Sequence, residues 1–529
     1  MITPQELLGK CKQNIKKEWK TAFLAAFVIG LLIHLPVMVS DIPNHDGLSS
    51  MYFDQNMITS GRWFLTIACG ISSYFTLPWL IGLLALFYLA LTAVALTELL
   101  ELRNSLLIVL VSGLLVAFPA IASTFAYVFT MDGYMMALLL AVLSVLLTAK
   151  YRLGFIWGGV CLAFSMGIYQ AYLPFAILLC IYQVAIAMIE KKGFQEKILT
   201  SLKYLYMGGM GVGLYFVLLQ ILLKIQGKEL DTYQGINSIG GAAASEAGRG
   251  ILQNLVDMWK DFFIFTLKGN VFFNNIFSLG GMLLLVLCCA VTLIVLMVKR
   301  KWWKNPGFFV IMILLAVGVP IASNIIMLVS PTLTYHLLMR YQWVLLLILL
   351  IAFCNKYVKE WQTKGGVALQ SLGGFAEWAV VSGAFLLLFN YAVTDHIGYS
   401  NLQKRYEKTY AYCVRLLDRI EQAEGYYQGI PIAMVGIVGY TEFPDTDITV
   451  EVTGGMIGVS GDTLLYTADN YQAFMKNYLG ATLNFLDVET VGEIYFDPEY
   501  IAMDTFPAEN SVKVVDGILY VKTENVGRD

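Results

Sequence analysis

The sequence predicts a polytopic all-α membrane protein that carries a small soluble α/β (or α+β) domain at its carboxyl end. Three observations lead there. Apolar residues make up 58% of the 529 residues and charged residues only 14%, against roughly 45–50% and about 25% in soluble domains. The apolar residues gather into about eleven runs, each near the twenty or so residues that one crossing needs. The charge is also split. From residue 395 onward there are 21 acidic and 9 basic side chains, a net of −12, which leaves +9 for the rest of a chain whose total is −3. A basic membrane body with an acidic soluble tail follows, and nothing in this pattern suits a nucleic-acid partner.

The runs fall at 21–39, 78–98, 105–122, 131–149, 154–170, 172–189, 204–223, 274–298, 307–328, 341–355 and 371–393. Basic residues set their orientation. The amino terminus carries Lys10, Lys12, Lys16, Lys17 and Lys20. Alternate loops then carry Arg103, Lys150 with Arg152, Lys191 with Lys192, Lys299 to Lys301, and Lys356 with Lys359. With eleven crossings all of these lie on one side. The expected topology therefore has a cytoplasmic amino terminus, with loops 40–77 and 224–273 and the whole tail outside a plasma membrane. The first run is long and lacks a small-residue cleavage site, so it reads as a retained span. Eight cysteines occur without any CxxC spacing, which removes zinc-site and thioredoxin-like readings. No internal repeat is visible, in contrast to transporters built from duplicated halves.

Residues 249–266 put Leu252, Leu255, Val256, Trp259, Phe262 and Phe263 on one helical face and Gln253, Asp257, Lys260 and Asp261 on the other. That is the pattern of a helix lying in the membrane interface; residues 47–60 are a weaker second case. The tail, 395–529, is expected as a separate domain beside the membrane domain 1–394. It reads as a helix over 399–424, a strand from Ile430 towards Gly439, a helix over 465–486, and strands over 447–453 and 511–522 with Asp516-Gly517 as a hairpin turn. It contains no nucleophile motif and no phosphate loop, and is taken as an accessory module.

Chemistry concentrates just after the first span. Asp41, Asn44, His45, Asp46, Asp54 and Arg62 share one outer loop, and carboxylates at membrane depth are costly unless they serve a purpose or meet water. The bland alternative is that they solvate the loop or cap helices. Asp132 opens the fourth span, as a cap or as a substrate contact. Tyr169 and Gln170 lie in a tight outer turn suited to a sugar, or to an aromatic belt. His336 and Arg340, four residues apart, share a face if that segment is α-helical. Arg340 there would hold a lipid phosphate with its planar fork or snorkel to headgroups. Transfer of a sugar from a lipid phosphate needs one general base, because the phosphate leaves as a stable anion.

Asn44-His45-Asp46, Tyr52 to Asn56, Gly61-Arg62-Trp63-Phe64, Ala68 to Phe75, Pro78-Trp79, Asp132-Gly133-Tyr134 and Gly167 to Tyr172 resemble the bacterial GtrII-type glucosyltransferases. The resemblance implies a GT-C-like membrane fold, a polyprenyl-phosphate glucose or related hexose donor, and addition of the sugar to a surface glycan on the outer side. It implies an essential acid in the first outer loop, for which Asp46 is the best positional match and Asp41 the second. It also implies a basic residue near the carboxyl end, which does not align to a single position. The three aspartates match no compact ligand motif, so transfer is expected to need no cofactor; Mg²⁺ or Mn²⁺ is the alternative. Rival readings are a flippase or exporter of lipid-linked sugars, and another GT-C enzyme such as a protein mannosyltransferase. A carrier would need a polar path through the membrane, whereas this chain keeps nearly all charge away from span centres.

Overall fold

The computed structural model describes residues 14–49, 55–70, 76–191, 193–231, 251–269, 274–329, 334–364, 366–435 and 467–523, with the short pieces 3–6, 9, 271 and 464–465. Within them the chain is a helical bundle with a small sheet at one end. In order the helices are α1 (Lys17–Val39), α2 (His45–Ser49), α3 (Leu65–Gly70), α4 (Pro78–Leu99), α5 (Ser105–Ala117), α6 (Pro119–Phe125), α7 (Met131–Lys150) and α8 (Gly154–Ile168). They continue as α9 (Leu173–Glu190), α10 (Phe194–Gln226), α11 (Ile251–Lys268), α12 (Ile276–Arg300), α13 (Pro306–Ser323), α14 (Trp343–Lys364), α15 (Val367–Glu421) and, in the tail, α16 (Ala468–Leu479).

Among the described residues nine helices are long and apolar enough to cross a membrane, or ten if the bent pair α5–α6 is one span. The chain is thus a multi-pass membrane protein. The expected run 154–170 is the short one. Helix α8 has 15 residues, about 22 Å of rise against a hydrocarbon core of about 30 Å.

Helix starts follow from local chemistry. Pro78 and Pro306 occupy first-turn positions, where a missing N–H is harmless. Asn275 caps α12 in a capping box with Ser278. The bend of 45° between α5 and α6 comes from Pro119, which has no N–H to offer the Leu115 carbonyl. Side chains answer the freed groups. The Tyr341 hydroxyl donates to Leu115 O, and His34 Nε2 lies 2.8 Å from Val116 O. A carbonyl only accepts, so Nε2 bears the proton and His34 Nδ1 accepts from the Tyr399 hydroxyl at 2.6 Å. Backbone broken at membrane depth is tolerated when such partners exist.

Helix α15 differs from expectation. The sequence suggests a span over 371–393, a boundary at 394 and a second helix from 399; the chain instead forms one helix of 55 residues. Thr394, Asp395 and His396 change the solvent preference of the helix without breaking it, since none is Gly or Pro. The tail sheet has the order β2-β1-β4-β3, with β1 (Pro431–Val435) parallel to both β2 (Asn484–Phe485) and β4 (Ile518–Lys522), and β3 (Val512–Val515) antiparallel to β4. Asp516 and Gly517 hold φ at 48° and 81°, both positive as a two-residue hairpin of the primed type requires. Helix α16 is shorter than the expected 465–486 and stops at Gly480, φ 71°. The expected strand 447–453 lies outside the described residues.

Candidate active site

The first loop is seated by two close approaches. A Cβ at Gly133 would come within 2.6 Å of Cys69 Sγ, and one at Gly167 within 2.6 Å of the Trp63 ring. The Phe64 N–H donates to Gly167 O at 2.7 Å. The short motifs around residues 61–70, 132–134 and 167–172 are therefore faces of one packing unit. Gln170 belongs to it as a brace. Its Nε2 donates to Ser60 O at 3.1 Å and to the Tyr215 hydroxyl at 3.0 Å, and that hydroxyl donates to Gly61 O at 3.0 Å.

On this seat Arg62 Nη1 donates to the Tyr134 hydroxyl at 3.2 Å. Its guanidinium carbon stands 4.9 Å from the Tyr169 ring centroid. Tyr134 and Tyr169 stack at 4.3 Å and 2°, so the arginine sits against a two-ring platform. Above it, buried Asn44 accepts the Gly47 N–H through Oδ1 at 2.8 Å. That bond starts α2 in the manner of a cap and sets His45 and Asp46 in its first turn. The Asp46 side chain is 56% exposed, with Oδ1 3.5 Å from His45 Nε2, and its charge reaches Tyr134. His45 also feels Arg405 of α15, and His336 feels His45.

Burial lowers the pKa of His45, with Asp46 pulling it up and Arg405 pushing it further down. Burial, and then His45, lowers that of His336. Both shifts favour the neutral imidazole at pH 7, and among the described residues the guanidiniums of Arg62 and Arg405 bring fixed positive charge to Tyr134 and to His45 respectively.

The tail closes over α2. Asn470 Nδ2 donates to His45 O at 3.3 Å. Leu48 is buried in the tail's own apolar core with Tyr412, Tyr471 and Phe474.

The remaining candidates go elsewhere. Asp41 is exposed and its charge falls on Tyr406 and Tyr478 of the tail side. Asp132 is 1% exposed and accepts the Gly133 N–H at 2.9 Å, and its charge falls on Cys69 and Tyr88. Arg340 is not on an α-helical face with His336. His336 precedes a 3₁₀ turn, Leu337–Arg340, and Arg340 forms a two-pronged ion pair with Asp261 of α11 at 2.7 and 2.8 Å. Asp54 lies outside the described residues. Among the described residues no group of three or more His, Cys, Asp or Glu side chains converges as a metal site would.

The sequence pattern of glucosyl transferase GtrII matches residues 35–353, more than half of the chain and all of the platform. The chain belongs to the GtrII glucosyl transferase family. No curated protein and no solved structure gave a match. Membership of the GtrII family makes this a glycosyltransferase, with a sugar donor and an acceptor as its substrates. Two residues of this GtrII-family chain were missed in the sequence, one at the site and one in the bundle. Arg405, 5% exposed, comes from beyond the matched region, and its only signal was a basic residue within an acidic tail. Asp395, beside Tyr399 of the bundle and away from the platform, is wholly buried, and both its carboxyl oxygens lack a hydrogen-bond partner among the described residues; a lone acid at the end of an apolar run was the signal for it.

Proposed function

We propose that this protein moves a hexose, glucose in keeping with its family, from a polyprenyl-phosphate donor to a surface glycan at the outer face of the plasma membrane. The observation that carries the reading is an exposed carboxylate, Asp46, beside His45, with Arg62 set on a stacked tyrosine pair and the charge of Arg405 acting on His45. Asp46 takes the proton from an acceptor hydroxyl. The freed oxygen attacks the anomeric carbon, and the bond to phosphate oxygen breaks with its electron pair leaving on the phosphate. Arg62 and Arg405 take up the charge that gathers there, as guanidiniums suit phosphate geometry. The tyrosine faces supply a surface on which a sugar ring stacks. Neutral His45 and His336 orient hydroxyls through hydrogen bonds. A flippase would need polar groups along the bundle axis, whereas these groups gather at one end.

Asp46→Asn keeps the shape and removes the basicity, so turnover should fall by about two to four orders of magnitude at unchanged protein level. Near-normal transfer would move the role to Asp41 or Asp54. The lipid monophosphate donor carries less charge than a nucleotide diphosphate, and two arginines can offset it, so transfer is proposed to run without a metal ion. Activity should persist in excess EDTA; loss restored by Mg²⁺ or Mn²⁺ would make the acidic loop an ion site.

A further inference from the structure

Helices α7 and α9 carry the candidate active site at or beside their amino-terminal ends, and α4 packs along α7. Their carboxyl-terminal ends, about 30 Å away along the helix axes, meet in a second polar cleft of ≈ 410 Å³. One bilayer core separates the two sites. The cleft is completed by Thr200 and Tyr204 of α10 and Lys356 of α14.

Its acids are already held. Glu98 is bound by Lys16 at 2.8 Å and by Lys150. Glu101 and Glu190 share Lys356 at 3.1 and 3.7 Å. Glu101 does so from a left-handed backbone, φ 55°, a conformation uncommon for a residue of its type. Donors are left over. Lys191 Nζ reaches only the Thr200 hydroxyl, at 2.6 Å, among the described residues. The hydroxyls of Tyr182 and Tyr204, which also line the cleft, donate to no protein acceptor among them. One ammonium without a carboxylate and two phenols without acceptors, beside internally neutralised ion pairs, form a site for an anion with several oxygens.

We infer that this cleft binds a phosphate group at the face opposite the active site, supplied by a lipid headgroup or by free phosphate. Lys191 gives the charge, and Tyr182 and Tyr204 donate to the phosphate oxygens. Leu99, Ala149 and Ile186 in the same wall give the start of an acyl chain an apolar surface. Nothing here depends on the identity of the transferred sugar.

Native mass spectrometry of the full-length protein in detergent, titrated with phosphatidic acid, tests this. One lipid should be retained per chain, and Lys191→Ala should weaken its apparent affinity about tenfold, in line with a lost charge-assisted bond. Lys191→Arg should retain it, and Tyr182→Phe with Tyr204→Phe gives an independent variant in which the charge is kept and affinity still falls. Displacement by inorganic phosphate identifies the headgroup as sufficient, whereas retention against phosphate, still dependent on Lys191, identifies the lipid. Equal retention by wild type and all variants, or equal retention of uncharged diacylglycerol, overturns the inference.

Discussion

Arg340 was legible as an important cation and illegible as to its partner. Its sequence position, beside apolar residues at the end of a span, fits a headgroup contact as well as a protein one. What decides is Asp261, 79 positions away, which with Tyr335 at 3.7 Å and Phe265 at 4.4 Å from the guanidinium encloses the side chain on several sides. The pair fastens α11 to the turn that carries His336. Arg340→Lys keeps the charge but loses the planar fork, and Asp261→Asn removes the charge from the other side. If the pair is a clamp, both variants should lower stability by about 1.5–3 kcal/mol, the range for a hydrogen bond to a charged group, and depress transfer in parallel. Thermal unfolding beside donor kinetics checks this; a donor KM raised by Arg340→Lys alone would assign the guanidinium to the substrate.

Single helices show where sequence reading holds and where it stops. Apolar runs and the Asp516-Gly517 hairpin were legible because their signals are local: solvent preference over about twenty residues, or a backbone twist that two residues supply. Helix α2 was misread as the start of an interfacial helix over 47–60 with Leu48 towards lipid, whereas Leu48 is buried in the tail's core, and five residues cannot sustain a helix alone. It exists because Asn44 caps it, Leu48 enters the tail's core and Asn470 holds His45 O across 425 positions of sequence. The tail therefore packs directly on the segment that carries His45 and Asp46. Leu48→Ala should cost about 2–5 kcal/mol where it packs and loosen α2, so that kcat falls tenfold or more while membrane insertion is normal. Hydrogen exchange over His45–Ser49 should rise in that variant. Unchanged exchange with unchanged kcat would return the tail to an independent role.

At the scale of the whole molecule, the basic loops and the two polar clusters agree. Lys16, Lys150, Lys191 and Lys356 meet at one end of the bundle, and the aspartate-histidine-arginine group lies at the other. By the positive-inside rule the candidate active site and the tail are expected on the outer side. Reporter fusions or protease accessibility near residue 420 should find it on the outer side. A cytoplasmic tail would sink the outer-face transfer reaction, though not the chemistry of the cluster itself. The number of crossings was less legible than their positions, because α8 is short and α5–α6 is bent, and hydropathy measures neither.

The unbroken course of α15 has a geometric consequence. A helix transmits angular phase as well as distance: each residue adds 1.5 Å and about 100° of rotation. Arg405 and the sheet domain are thus held at set bearings to the bundle by how many residues lie between them. Removing one residue from the stretch between Asp395 and Arg405 would shorten the rod by little more than an ångström. It would also swing the guanidinium, the sheet and the grip on α2 through more than a quarter turn. Two whole turns, seven residues, nearly restore the bearing while displacing everything beyond by about 10 Å. No small change of length preserves both, so for this stretch the residue count fixes where the Arg405 charge falls as firmly as the residue itself does.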